Sequence, residues 1–174
     1  MKELTTTRPV LADPFAHHVW ATDVILAACE NLAPEALATT VPGTYGTIID
    51  TLRHLVGADA WYLMVLSGGR VTRIDEGAMD LAALRATMRA HEPVWQQVLA
   101  GEPDPDEVLV RRRDDGSATE APVGVRLAQV IHHGTDHRSQ VCTALTALGV
   151  EPPDIDVWAW AWSHGKLVEI PPTG

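Results

Sequence analysis

With 174 residues, 23 acidic against 13 basic side chains and a formal net charge of -10, the chain is sized for one domain whose core needs no disulfide, and its surface field would repel nucleic acid and anionic membranes. The two cysteines, Cys29 and Cys142, stand far apart in no CxxC arrangement, which argues against a disulfide framework or a cysteine zinc knuckle. No apolar run approaches the roughly 18 residues of a membrane span, and the opening MKELTTTRPV has no signal-peptide core, so the expectation is a soluble, cytoplasmic protein whose partner is a small molecule.

In chain order, Asp13 and Pro14 read as an N-cap followed by proline at the first helical position, opening a first helix over about 14–32. His17 and His18 fall in its opening turn, where solvated or capping roles suit both and a site role stays open for one. Pro42 and Gly43 break the chain before a second helix over about 46–67, closed by Gly68 and Gly69 where a left-handed cap belongs. Its wheel gathers Ile48, Leu55, Ala58, Trp61, Tyr62, Val65 and Leu66 into a broad apolar arc, and His54 lies on that arc near Trp61 and Val65. Asp50, one turn earlier, has two readings of equal standing: a carboxylate holding the second ring nitrogen of His54, or an ordinary acid in a helix's first turn.

A third helical pattern covers about 80–100. Pro93 predicts a kink or a break in it, and His91 reads as an exposed polar residue. Over about 107–121, Val108 and Val110 alternate with other residues and Asp115-Gly116 is a tight-turn pair, so a short β-hairpin follows. Arg111, Arg112 and Arg113 read as a solvated strand facing Asp114, Asp115 and Glu120, since no glycine-rich phosphate loop accompanies them.

The fourth helix, over about 123–148, carries His132, His133 and His137 inside an apolar pattern. At about 100° per residue, Leu127, Gly134, Val141, Ala144, Leu145 and Leu148 fall within about one-sixth of a turn of Val130. His137 lies inside that stripe and His133 at its edge, while His132 points nearly the opposite way. His133 and His137 are therefore an i, i+4 pair on one face, the spacing that lets two imidazoles share one ion. Two core histidines satisfied by hydrogen bonds is the competing reading, and His54 is the candidate third ligand. Gln129 and Gln140 flank the pair and are placed to orient a ligand or a bound water. Beyond Pro152-Pro153, Asp154 or Asp156 caps a short helix or turn with Trp158, Trp160 and Trp162, packed over the bundle or at a subunit contact.

YGTIIDTLRHLVGADAWYLMVLSG followed by HHGTDHRSQVCTALTALGVEPPDID resembles the DinB family of bacterial damage-inducible and YfiT-like proteins over nearly the whole chain. The most specific part is one histidine in the second helix paired with the HxxxHR-x-Q run in the fourth. Two small departures, Ser139 where glycine is frequent and His132 where asparagine is common, remove no ligand. The resemblance implies an all-α fold, a single four-helix bundle over 1–174 with a hairpin between its third and fourth helices, a homodimer, and a divalent metal held by His54, His133 and His137.

Three imidazoles leave at least one coordination position open, as in catalytic sites, and an all-nitrogen shell favours zinc or nickel over iron or manganese. Members similar to this chain use low-molecular-weight bacterial thiols, which implies metal-dependent transfer of such a thiol to a small electrophile. In that scheme Gln140 or Gln129 would position a water or substrate, Asp50 stays a further catalytic candidate through its place beside His54, and Trp61 and Tyr62 would wall the pocket. A metal-dependent hydrolase, or a metal-binding stress-response protein without turnover, is the alternative.

Overall fold

The computed structural model describes residues 8–112, 115–170 and 172. Within them the chain is mostly helical, in agreement with the all-α expectation: α1 (Ala12–Cys29), a single-turn α2 (Pro34–Leu37), α3 (Ile48–Leu66), α4 (Leu81–Ala100), β1 (Val108–Arg112), β2 (Ala118–Pro122), α5 (Val123–Ala147) and α6 (Val157–Ser163). A 3-10 turn, Glu76–Ala78, joins α3 to α4. The long helices α1 and α3 each pack against both α4 and α5.

Local chemistry sets most of the ends. Thr47 caps α3 by accepting the Asp50 backbone N–H at 3.1 Å, Asp80 caps α4 through the Ala83 N–H at 2.8 Å, and Asp156 caps α6 through the Ala159 N–H at 2.6 Å; each oxygen satisfies a donor that the first helical turn leaves unpaired. Gly68 and Gly69 take φ of +67° and +85° after α3, the left-handed exit read from the sequence. The hairpin also forms, with Val108 opposite Pro122 and Arg112 opposite Ala118, and Gly116 supplies its positive φ of 83°.

Two boundaries differ from expectation. Helix α1 begins at Ala12 with Leu11 as its cap residue and ends at Cys29, because Asp13 is drawn into ion pairs with Arg8 and Lys166 instead of capping. Helix α4 continues through Pro93. The missing N–H removes one backbone bond, but Met88 before the proline and Trp95, Val98 and Leu99 after it are all buried. Burying such side chains is worth about 1.5–3 kcal/mol each, which offsets the lost bond.

The core has two apolar clusters. One gathers Ile25, Leu26, Cys29, Ile48, Leu52, Val56, Leu84, Val141 and Leu145 among others; the second is built around Phe15, Val19, Leu63, Met88, Trp95, Leu127 and Val130. On α1, α3 and α5 the buried polar residues Thr22, Asp59, His137 and Arg138 fall in sequence between positions belonging to the two clusters, and His18 lies one turn before Thr22. A polar layer therefore interrupts the core at mid-length.

The helices meet closely in this layer because α5 has glycine there. A Cβ on Gly134 would lie 2.4 Å from His18 Cε1 and 2.6 Å from Nδ1, well inside contact distance. Gly134→Ala is expected to destabilise the fold by about 1–3 kcal/mol through overpacking, despite the better helix propensity of alanine; urea denaturation checks this, and an unchanged or raised midpoint would refute it.

Candidate metal centre

The first ligand candidate, His54, sits in the second turn of α3, whose start is fixed by the Thr47 cap. His133 and His137 lie one turn apart on α5. Helix α3 packs along α5, and the three imidazoles converge where they meet. His133 Nε2 lies 3.2 Å from His54 Nε2 and 3.1 Å from His137 Nε2, and one ligand atom from each of the three residues falls within 4.8 Å of the others. His137 is buried and the other two are half-buried.

Hydrogen bonding fixes how the rings present themselves. His137 Nδ1 donates to Gln140 Oε1 at 3.0 Å, so its proton is on Nδ1 and its Nε2 offers a lone pair. The same Gln140 oxygen accepts the Tyr45 backbone N–H at 3.0 Å. The Tyr45 ring stacks on His54, with centroids 4.3 Å apart and planes 9° from parallel. Glu76 Oε2 stands 3.8 Å from His54 Nδ1, beyond hydrogen-bond distance but near enough for its charge to act on the ring. Gly57 leaves room for it, since a Cβ there would collide with the Glu76 side chain.

Electrostatics favour the neutral form of two of the three rings, His54 and His133. Burial first, and then the neighbouring His137 and His54, push His133 down to about 4. His54 is also lowered, by burial above all, with Glu76 opposing and His137 assisting. Neutral imidazoles are the ligand form. One proton shared among three facing Nε2 atoms cannot serve both close contacts, whereas a cation serves all three lone pairs. Tetrahedral zinc, with Zn–N of about 2.0–2.1 Å, spaces its ligand nitrogens about 3.3 Å apart, close to the observed separations. The donor set fits a divalent metal ion.

Behind the triad runs the buried polar layer. Arg138, next to His137 in the chain, donates from Nη1 to His18 Nδ1 at 3.0 Å and to Thr22 Oγ1 at 3.1 Å. His18 Nδ1 is thus an acceptor, and its Nε2 donates to Asp59 Oδ1 at 3.0 Å. His91 Nδ1 reaches Asp59 Oδ2 at 2.6 Å and Trp95 Nε1 donates to Oδ1 at 3.2 Å. Burial on its own would raise the Asp59 carboxyl, yet the bonds from His18 and His91 hold it down to about 2. His18, buried foremost, is lowered and stays neutral.

Several sequence readings are corrected by these positions. His91 is 4% exposed and bonded to Asp59, and His18 is 1% exposed, so neither is solvated. His17 is half-buried and bonds the Ile155 carbonyl at 2.8 Å. Asp50 accepts from the Thr47 hydroxyl at 2.6 Å and takes no part at His54, where Glu76 stands in its place. Gln129 is exposed and lies beside Trp61 and Arg126 in a cleft that adjoins the one at His54 and His133. Arg111 packs over Trp61, 4.5 Å from the ring centroid; Arg113 and Asp114 lie outside the described residues. Trp61 and Tyr62 do border a cleft of about 280 Å³ that reaches His54 and His133, and His132 is exposed as read. Tyr45, Asp59, Arg73 and Glu76 were not singled out by the sequence. Tyr45, Arg73 and Glu76 sit in connecting segments without periodicity, while Asp59, the one acid in the run 55–66 of α3, was a signal that could have been read.

Compared with known proteins, the chain matches the model of the DinB family over residues 4–170. No curated protein matches it.

Two measurements check the site's supports. Glu76→Gln is expected to weaken zinc affinity about tenfold, the lower end of the effect of losing a carboxylate beside a ligating ring; an unchanged dissociation constant by competition with a chelator would remove Glu76 from the site. For the polar layer, His18 and Asp59 both have folded values below their ordinary ones, so in acid the unfolded chain binds the extra protons. Stability is expected to fall as pH drops below about 6.5, where free histidine titrates, and again between about 4 and 2, where free aspartate titrates. Urea midpoints across that range read both steps. The second should shrink in Asp59→Asn, with the remainder left to Asp23 and Asp13, which burial would raise but their arginine and lysine partners hold below the ordinary carboxylate value; an undiminished step there would assign it away from Asp59.

Proposed function

Given that the chain belongs to the DinB family, we propose that its four long helices form a single four-helix-bundle domain holding zinc or nickel on His54, His133 and His137, and that the protein transfers a low-molecular-weight thiol to a small electrophile. The observation that carries this reading is the convergence of three imidazoles beside a cleft wide enough for a small molecule. A divalent ion with an open position supplies the acidity that turns a thiol into a thiolate at neutral pH.

The protein's own residues supply the rest. Gln140 orients His137 through its Nδ1, Glu76 stands 3.8 Å from His54 Nδ1, and Tyr45 covers the His54 ring. Trp61 and Tyr62 give the cleft an aromatic wall on which an electrophile can lie. Neither cysteine competes for the role of nucleophile: Cys29 is fully buried, with its thiol raised to about 12 by burial and then by Cys142, and Cys142 is raised as well, again chiefly by burial.

Untagged protein is expected to bind one zinc or nickel ion per chain. Loaded protein mixed with a bacterial low-molecular-weight thiol and 1-chloro-2,4-dinitrobenzene should form the thioether, as the sulfur–carbon bond replaces the carbon–chlorine bond and the thiol proton passes to solvent. His133→Ala should abolish both stoichiometric metal and the rate above background. Metal binding without any rate would support a binding protein instead, and absence of metal would remove the proposal.

A further inference from the structure

The cleft beside His54 and His133 is also lined by two arginines, Arg73 from the segment after α3 and Arg111 from β1, together with Glu76. On β1 burial alternates: Val108, Val110 and Arg112 are exposed, while Leu109 and Arg111 are half-buried on the inward side. An inward position on a strand is ordinarily apolar, and Leu109 obeys that rule by packing on the core. Arg111 instead lays its guanidinium over Trp61, a stack that holds the planar fork while leaving its N–H edge available.

In an acidic chain, an arginine easily finds a carboxylate. Arg53, Arg85 and Arg89 each have one within 4 Å. Among the described residues, Arg73 and Arg111 have none. A neighbouring cleft of about 290 Å³ shares Trp61, Tyr62 and Arg111 and adds Arg126. Arg126 is 5% exposed; its Nη2 donates to the Leu109 carbonyl at 2.9 Å, and its buried Nε has no hydrogen-bond partner among the described residues. Arg73 and Arg111 therefore bring positive charge to the wall of the cleft at His54 and His133 without a direct ion pair among the described residues, although Glu76 lines the same space, and Arg126 adds to it in the adjoining cleft.

We infer that this wall selects the substrate by charge: the cleft takes a small molecule bearing a carboxylate, gripped by Arg111 with Arg73 beside it, while the molecule's sulfur or other reacting group reaches toward the triad. The inference rests on the metal-site reading above and adds the substrate class to it. One negative charge fits better than two, because Glu76 lines the same space and the whole chain carries a net charge of -10. A planar carboxylate also matches a guanidinium fork held flat by a ring.

The test uses cobalt(II)-loaded full-length protein, with binding of 3-mercaptopropionate and of its uncharged amide, 3-mercaptopropanamide, read by the sulfur-to-cobalt charge-transfer band. The acid is expected to bind at least tenfold more tightly than the amide, and the preference should shrink severalfold in Arg111→Gln and in Arg73→Gln while the cobalt ligand-field spectrum stays unchanged. Equal affinity of acid and amide, or a preference surviving in the double variant, overturns the inference but leaves the metal site standing. Stronger competition by inorganic phosphate than by propionate overturns the assignment to carboxylate. Failure of the protein to take up cobalt at all removes the metal-site reading and this inference together.

Discussion

One buried negative charge organises the middle of this molecule. Asp59 is 3% exposed and ionised, and a carboxylate in that position is costly unless it is hydrogen-bonded and its charge is answered. Three N–H donors from α1 and α4 meet it, and Arg138 on α5 answers it through His18. All four long helices are thus tied to a single functional group. Rotating any of them would strand a buried polar atom, so the network fixes helix rotation in a way that interchangeable apolar contacts do not.

The histidine triad inherits that precision. His137 precedes Arg138 in the chain, so the guanidinium that reaches inward to His18 also sets the angle at which the neighbouring imidazole leaves α5. His133, one turn earlier, is carried by the same rotation. On the facing helix, Asp59 and His54 are five residues apart, and the anchoring of one constrains the other. Two kinds of histidine result: His18 and His91 serve the buried carboxylate, while His54, His133 and His137 keep their Nε2 atoms facing one another.

How much of this was legible in the sequence follows from what periodicity encodes. Helical spacing placed His133 and His137 on one face and His54 on an apolar arc, because ligands borne by regular helices inherit the phase of the helix. The hairpin turn at Asp115-Gly116 and the glycine exit after α3 were legible because backbone torsions there demand particular residues. Tertiary partners were not. His91 reads as exposed on its own helix, and only the arrival of Asp59 from α3 makes it a core residue. Asp50 and Glu76 are both acids near His54 in sequence terms, but the Thr47 cap claims the first and a turn of 3-10 helix delivers the second. Pro93 signals a break by local rules, yet packing of Trp95 and its neighbours overrides them.

The hairpin has a consequence of its own. The three histidines are borne by two helices locked into the core, whereas Arg111 is carried by a ribbon of two short strands joined at a solvent-exposed turn. On the reading proposed above, chemistry and choice of ligand are thereby housed in parts with very different tolerance for change. Replacement of a few strand residues can redraw the mouth of the cleft while the helices beneath remain as they are, so that a common scaffold can acquire a new clientele without rebuilding its engine.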